Sequence, residues 1–127
     1  MTYPFDPEQG LIIVHTELTG PLGRAILRLA LDTGATGTLV NIGMLMAVGC
    51  DPASSTDCVQ VTTGSGVELV QRVELDGIRA LGVARAAFSV LGHSLPPSSG
   101  IDGLLGLDFF REQSLTIDFR RGEITVW

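Results

Sequence analysis

One aspartate ends an apolar run in this chain, and that junction limits what the sequence can fold into. Ala25-Ile26-Leu27-Arg28-Leu29-Ala30-Leu31 reads as a strand, and Asp32-Thr33-Gly34 follows it directly. A stretch of small residues, Ala35-Thr36-Gly37-Thr38, comes next. A charge beside a core costs free energy unless donors surround it. The flanking glycine and threonines can supply them as backbone N–H groups and hydroxyls. Asp, Thr and Gly are also common turn residues, so the triplet alone reads equally well as an Asp-initiated turn. It occurs once in the chain.

At 127 residues, with 45% apolar and 17% charged residues, the chain fits one folded domain with a modest core. Sixteen glycines among many Val, Ile, Leu and Thr point to short strands and tight turns. The net charge of −6 argues against nucleic acid, because phosphate binding needs a basic face. All eight cationic residues are Arg, so Schiff-base chemistry and a P-loop lysine are excluded. No apolar run approaches the roughly 20 residues of a membrane span, and Met1 to Pro7 shows no signal-peptide pattern. A cytoplasmic setting is therefore expected. Cys50 and Cys58 are read as free thiols, with a disulfide as the alternative. Two Cys with His15 and His93 are too few for a metal site, so neither metal nor cofactor is expected.

Residues 1–10 read as an N-terminal arm, because Pro4 and Pro7 break regular structure, and 11–127 as the domain. Leu11 to Leu18 and Arg24 to Leu31 form a hairpin around Thr19-Gly20-Pro21-Leu22-Gly23. Thr38 to Val40 is a short strand. Asn41 caps a short helix, Ile42 to Val48, stopped by Gly49. Val59 to Val70 is a hairpin with a glycine-rich tip, and its second arm runs on to Leu75. Asp76-Gly77 reads as a turn. Further strands follow in Ile78 to Val90. A Ser/Pro-rich loop leads to Ile101–Leu107. Asp108 reads as the cap of a short helix through Gln113, and Asp102 as a turn or cap residue. Leu115–Phe119 and Glu123–Trp127 are two strands joined at Arg120-Arg121-Gly122. The total is near nine strands and two short helices.

Peptide hydrolysis by carboxylates alone needs two of them around one water, sharing a proton because both cannot ionise so close together. Asp32-Thr33-Gly34 offers a pinned carboxylate. Thr33 can bond across to an opposite loop, and Gly34 lets the backbone approach the carboxylate. The hairpin tip offers a lid that excludes water. No Gly-x-Ser-x-Gly elbow supports a Ser/His alternative.

Three segments occur in one order: Leu31-Asp32-Thr33-Gly34-Ala35-Thr36, the hairpin around Gly64-Ser65-Gly66, and Asp102-Gly103-Leu104-Leu105-Gly106-Leu107-Asp108-Phe109-Phe110. That order resembles the retropepsin-like aspartic proteases, single-domain relatives of pepsin, and most of all their bacterial members. The resemblance runs from about Leu11 to Trp127. It implies an all-β, partly open or closed barrel of about nine strands, in the dimeric acid-protease fold. It implies Asp32 as the catalytic residue, one from each subunit of a homodimer. Thr33, Gly34, Ala35 and Thr36 would support the loop. Thr62, Thr63, Gly64, Ser65, Gly66 and Val67 would form the flap. Leu104, Leu105 and Gly106 would buttress the loop from beneath.

The partner implied is a polypeptide in extended conformation, in pockets walled by Leu29, Val40, Ile101 and Leu104. Retroviral members carry an acidic residue where this chain has Thr36 and an arginine where it has Leu107, so their ion pair cannot form here. Two readings follow: a dimeric aspartic endopeptidase, or a retropepsin-fold dimerisation or peptide-binding module with little catalysis.

Overall fold

Period-two alternation decides which side of each strand meets the core. Val40, Val73, Val90 and Leu105 are buried, while their chain neighbours Leu39, Arg72, Leu91 and Leu104 face the opposite side. The computed structural model describes residues 1–127, the Thr63 side chain excepted. Ten strands form: β1 Thr2–Pro4, β2 Ile13–Gly20, β3 Gly23–Leu31, β4 Leu39–Asn41, β5 Cys58–Thr63, β6 Gly66–Ala80, β7 Val83–His93, β8 Gly103–Leu105, β9 Leu115–Asp118 and β10 Glu123–Val126. One helix, α1 Ile42–Ala47, and three 3-10 turns (Pro52–Ser54, Pro97–Ser99, Leu107–Phe110) complete the chain.

The main sheet runs β2-β3-β8-β4-β7-β6-β5, and a further pairing of β2 with β6 closes the first six of these strands into a barrel. It is mixed: β3–β8 and β4–β7 are parallel, the other pairs antiparallel. Closure removes two sheet edges that would otherwise leave backbone groups unpaired. The interior is filled by Leu18, Leu27, Leu29, Leu45, Leu75, Leu105 and Phe109, all fully buried. Phe109 meets Phe88 and Phe110 edge to face, with centroids 6.1 and 5.2 Å away. Arg85 lies over the Phe109 ring, and its Nε donates to the Phe109 carbonyl.

The helix matches its expected start: Asn41 Oδ1 accepts from Gly43 N. The final hairpin also forms, with β9 and β10 paired through a turn at Arg120–Arg121. Within the expected arm, Thr2–Pro4 is a strand paired with β10, which makes a second sheet, β1-β10-β9. Pro4 ends that strand, where the loss of an N–H donor costs least.

Asp76-Gly77 is not a turn. β6 runs unbroken for 15 residues through it. The ladder to β7 pairs Leu75 with Phe88 and Gly77 with Ala86, passing over Asp76 and Ala87, and Ala87 takes a positive φ of 50°. An irregularity in the ladder absorbs what the sequence suggests as a reversal. The reversal falls at Leu81-Gly82, both with positive φ (51° and 73°), the backbone sense that a two-residue hairpin requires. β2 on one flank and β7 on the other hold residues 77–79 extended, which overrides the local turn preference.

The packing makes one expectation direct. Phe109→Ala should lower unfolding stability by about 3–5 kcal/mol, because it empties a fully buried site ringed by two aromatic partners. Urea denaturation of the two proteins checks this.

Candidate active site

Asp32 lies one residue beyond the end of β3. Its backbone N–H donates to the Leu105 carbonyl at 3.0 Å, which ties the strand end to β8. The carboxylate then turns back, and Oδ1 accepts from Gly34 N at 2.9 Å. A Cβ on Gly34 would stand 3.2 Å from that same oxygen, so glycine suits a backbone drawn this close. Ala35 N donates to the Asp32 carbonyl and completes the turn. Thr33 and Gly34 form its exposed tip. Among the described residues, the Thr33 hydroxyl bonds to nothing within the chain.

The loop rests on the segment 105–108. Leu107 N donates to the Ala35 carbonyl, and a Cβ on Gly106 would come within 2.8 Å of the Ala35 and Gly37 carbonyls. Only glycine fits there. A further link is polar and partly buried. Thr38, fully buried, donates its N–H to Asp108 Oδ2 (3.0 Å) and its hydroxyl to Oδ1 (2.7 Å), while the hydroxyl oxygen accepts from Gly106 N (3.1 Å). Asp108 is therefore a brace between segments 70 residues apart and not the expected helix cap. The 3-10 turn it occupies starts at Gly106 with no side-chain cap. Asp102 also ties two segments: Oδ2 accepts from Arg28 N, its N–H donates to the Arg28 carbonyl, and its own carbonyl accepts from Asn41 N.

A groove of about 890 Å³ opens above the loop. Asp32, Gly34, Ala35 and Thr36 lie along one side of it and Val59, Gln60, Val61 and Thr62 along the other. Its apolar walls are Leu39, Leu91, Leu104, Val59 and Val61. Of the expected wall residues, Leu104 is present. Leu29 and Val40 are in the core, and Ile101 is not part of the lining. For Val40 the correction follows from strand parity: the core residue hands the groove to its neighbour Leu39. Leu105 and Gly106 are buried beneath the loop, and Thr33 is outside the groove lining.

The β5–β6 hairpin turns at Gly64-Ser65 and pairs Thr62 with Val67. Gly64, Ser65, Gly66 and Val67 are exposed beyond the groove lining, and the Thr63 side chain lies outside the described residues. The sequence reading did not find the tether midway along this hairpin. His93 Nε2 meets Glu68 Oε2 at 2.6 Å, and His93 Nδ1 meets the Ser94 carbonyl. It also missed Arg72, Gln60 and Ser89 in the groove, which only the strand register could have revealed. Cys50 and Cys58 are not bridged. Burial, and then the nearby Asp76, push the Cys50 thiol pKa up.

An aspartyl protease family matches residues 21–109, most of the chain, and the chain belongs to that family. No curated protein sequence matches it. Among solved structures, a retropepsin-like aspartic protease from Rickettsia conorii superposes with a TM-score of 0.75 at 12% identity, over 99% of this chain and 88% of that one. The retroviral protease-like domain of Ddi1 from Leishmania major superposes with a TM-score of 0.61 at 16% identity, over 94% and 90%. The fold is thus retropepsin-like, as the order of motifs implies.

Two expectations follow from the geometry. Thr38→Val keeps the side-chain shape but leaves buried Gly106 N and half-buried Asp108 Oδ1 without this partner. It should cost about 1–3 kcal/mol in urea denaturation. The Glu68–His93 tether should depend on pH. The hydrogen bond from Glu68 raises the His93 pKa above its ordinary 6.5, against an opposing effect of burial, and the Ser94 carbonyl adds to the rise. A folded value above the unfolded one means the contribution is complete below about pH 6.5 and fades as pH climbs through the raised value. The melting-temperature gap between the wild type and Glu68→Gln should therefore narrow from about pH 6 to pH 9.

Proposed function

We propose that this chain is an aspartic endopeptidase that acts as a homodimer, each subunit contributing one Asp32 to a shared catalytic water. The observation that carries this reading is the state of the carboxylates in the groove. Among its described lining residues only Asp32 and Asp108 are acidic. Both oxygens of Asp108 are engaged by Thr38, so it serves as a brace. Asp32 keeps one oxygen on Gly34 N and has no second carboxylate within the chain with which to share a proton.

A second copy supplies one. The loop tip at Thr33-Gly34 is exposed, and the uncommitted Thr33 hydroxyl suits a bond to the opposite loop. With the two carboxylates face to face, one is ionised and takes a proton from water. The other, protonated, donates to the scissile carbonyl oxygen as the tetrahedral intermediate forms. The substrate lies extended across the paired grooves, and the β5–β6 hairpins act as flaps that pair with its backbone and exclude water. The apolar walls Leu39, Leu91, Leu104, Val59 and Val61 favour apolar side chains beside the cleaved bond. No metal enters this chemistry.

Asp32→Asn should reduce cleavage of a peptide library, assayed at mildly acidic pH, by roughly 10³-fold or more. Its melting temperature should stay near that of the wild type. Specific activity should rise with chain concentration until sedimentation shows a saturated dimer. Undiminished cleavage by Asp32→Asn would refute the proposal. A stable dimer that binds extended peptides without cutting them would favour the binding-module reading.

A further inference from the structure

Four residues form one transverse row across the groove floor. Strand register places Leu104 of β8 beside Leu39 of β4, Leu39 beside Leu91 of β7, and Leu91 beside Arg72 of β6. All four line the groove. Three leucines are thus followed by a guanidinium at the end away from β3 and Asp32. Among the described residues Arg72 is the one cation in the lining, in a chain whose net charge is −6.

Arg72 is only partly committed. Its Nη1 donates to Asp57 Oδ2 at 3.1 Å, and both side chains are about half exposed. Among the described residues its Nε and Nη2 donate to nothing. A guanidinium offers five donors in a planar fork that suits a carboxylate. Leu91 flanks it on the groove side, which lowers water access around an incoming acid. Two other acids are near: Asp57, and Glu74 two residues along the same face of β6.

We infer that Arg72 is a specificity-determining residue, a subsite for a substrate carboxylate. The substrate is an apolar peptide that carries an acidic side chain some way from the cleaved bond. Three strand spacings separate Leu104 from Arg72, about 14 Å. An extended peptide lying along the row covers that distance in about four residues. The acid therefore falls about four positions from the side chain at Leu104, and the residues between them meet Leu39 and Leu91. The Asp57 pair holds the guanidinium in place until a substrate carboxylate takes the free donors. This inference rests on the peptidase reading of the groove, and its test separates the two.

The test uses apolar fluorogenic peptides in which one Glu is moved along the sequence, each matched by its Gln counterpart. Cleavage is measured with the full wild-type chain, and binding of the same peptides by fluorescence anisotropy with Asp32→Asn. At one position Glu should be favoured over Gln by roughly three- to tenfold, the range for a partly exposed charge-assisted pair. Arg72→Gln should abolish that preference and Arg72→Glu reverse it. Asp57→Asn, which removes the competing acid, should widen it.

Cleavage with no Glu/Gln difference at any position overturns the inference and leaves the peptidase reading standing. So does a preference that survives in Arg72→Gln. Absent cleavage, with binding by Asp32→Asn that still favours Glu, would reject the peptidase reading and keep the subsite. Binding that ignores the carboxylate, or no binding of any peptide, overturns it.

Discussion

The contact between buried Thr38 and half-buried Asp108 is the constraint on which the rest of the site depends. One hydroxyl and one carboxylate join two segments: the end of the loop between β3 and β4, and the turn after β8. A half-buried acid costs free energy unless its oxygens are occupied, and here each oxygen has a donor. The arrangement answers the missing ion pair of the retroviral relatives. With Thr36 and Leu107 at those positions, the same two stretches of chain are held by a hydrogen-bonded carboxylate and by the Leu107 N–H on the Ala35 carbonyl. Asp32 can stand half-buried on a short loop because the backbone beneath it is fixed in this way.

The barrel and the groove are two outcomes of one alternation. Val40, Val73, Val90 and Leu105 fill the interior, and Leu39, Arg72, Leu91 and Leu104 form the groove floor. A one-residue slip in any of these strands would exchange a core residue for a groove residue. Groove composition and stability are therefore linked through register. The apolar walls of the groove are set by the same pairing that closes the core.

Much of the fold was legible because it is local. The first hairpin, the Asn41 cap, the glycine-tipped hairpin and the final strand pair are all written in neighbouring residues. The Asp32-Thr33-Gly34 loop was legible too, as a strand end followed by donors. What could not be read was long-range. Asp108 looked like a cap because Asp commonly caps helices, and nothing near it in sequence points to Thr38. Asp76-Gly77 looked like a turn because its own preference is strong, yet β2 and β7 hold it extended from both sides. The wall residues were misjudged for the same reason: which face of Val40 or Leu39 meets the core depends on partners far along the chain. Glu68 and His93 lie 25 residues apart and meet only once β6 and β7 are aligned.

β6 has two duties. Its first residues form one arm of the hairpin beside the groove, and its last residues form the stave that β2 grips to complete the ring. That hairpin is therefore not a detachable module. Replacing it with a hairpin from another protein would bring along part of the container wall, and any redesign must preserve the seam that keeps the vessel shut.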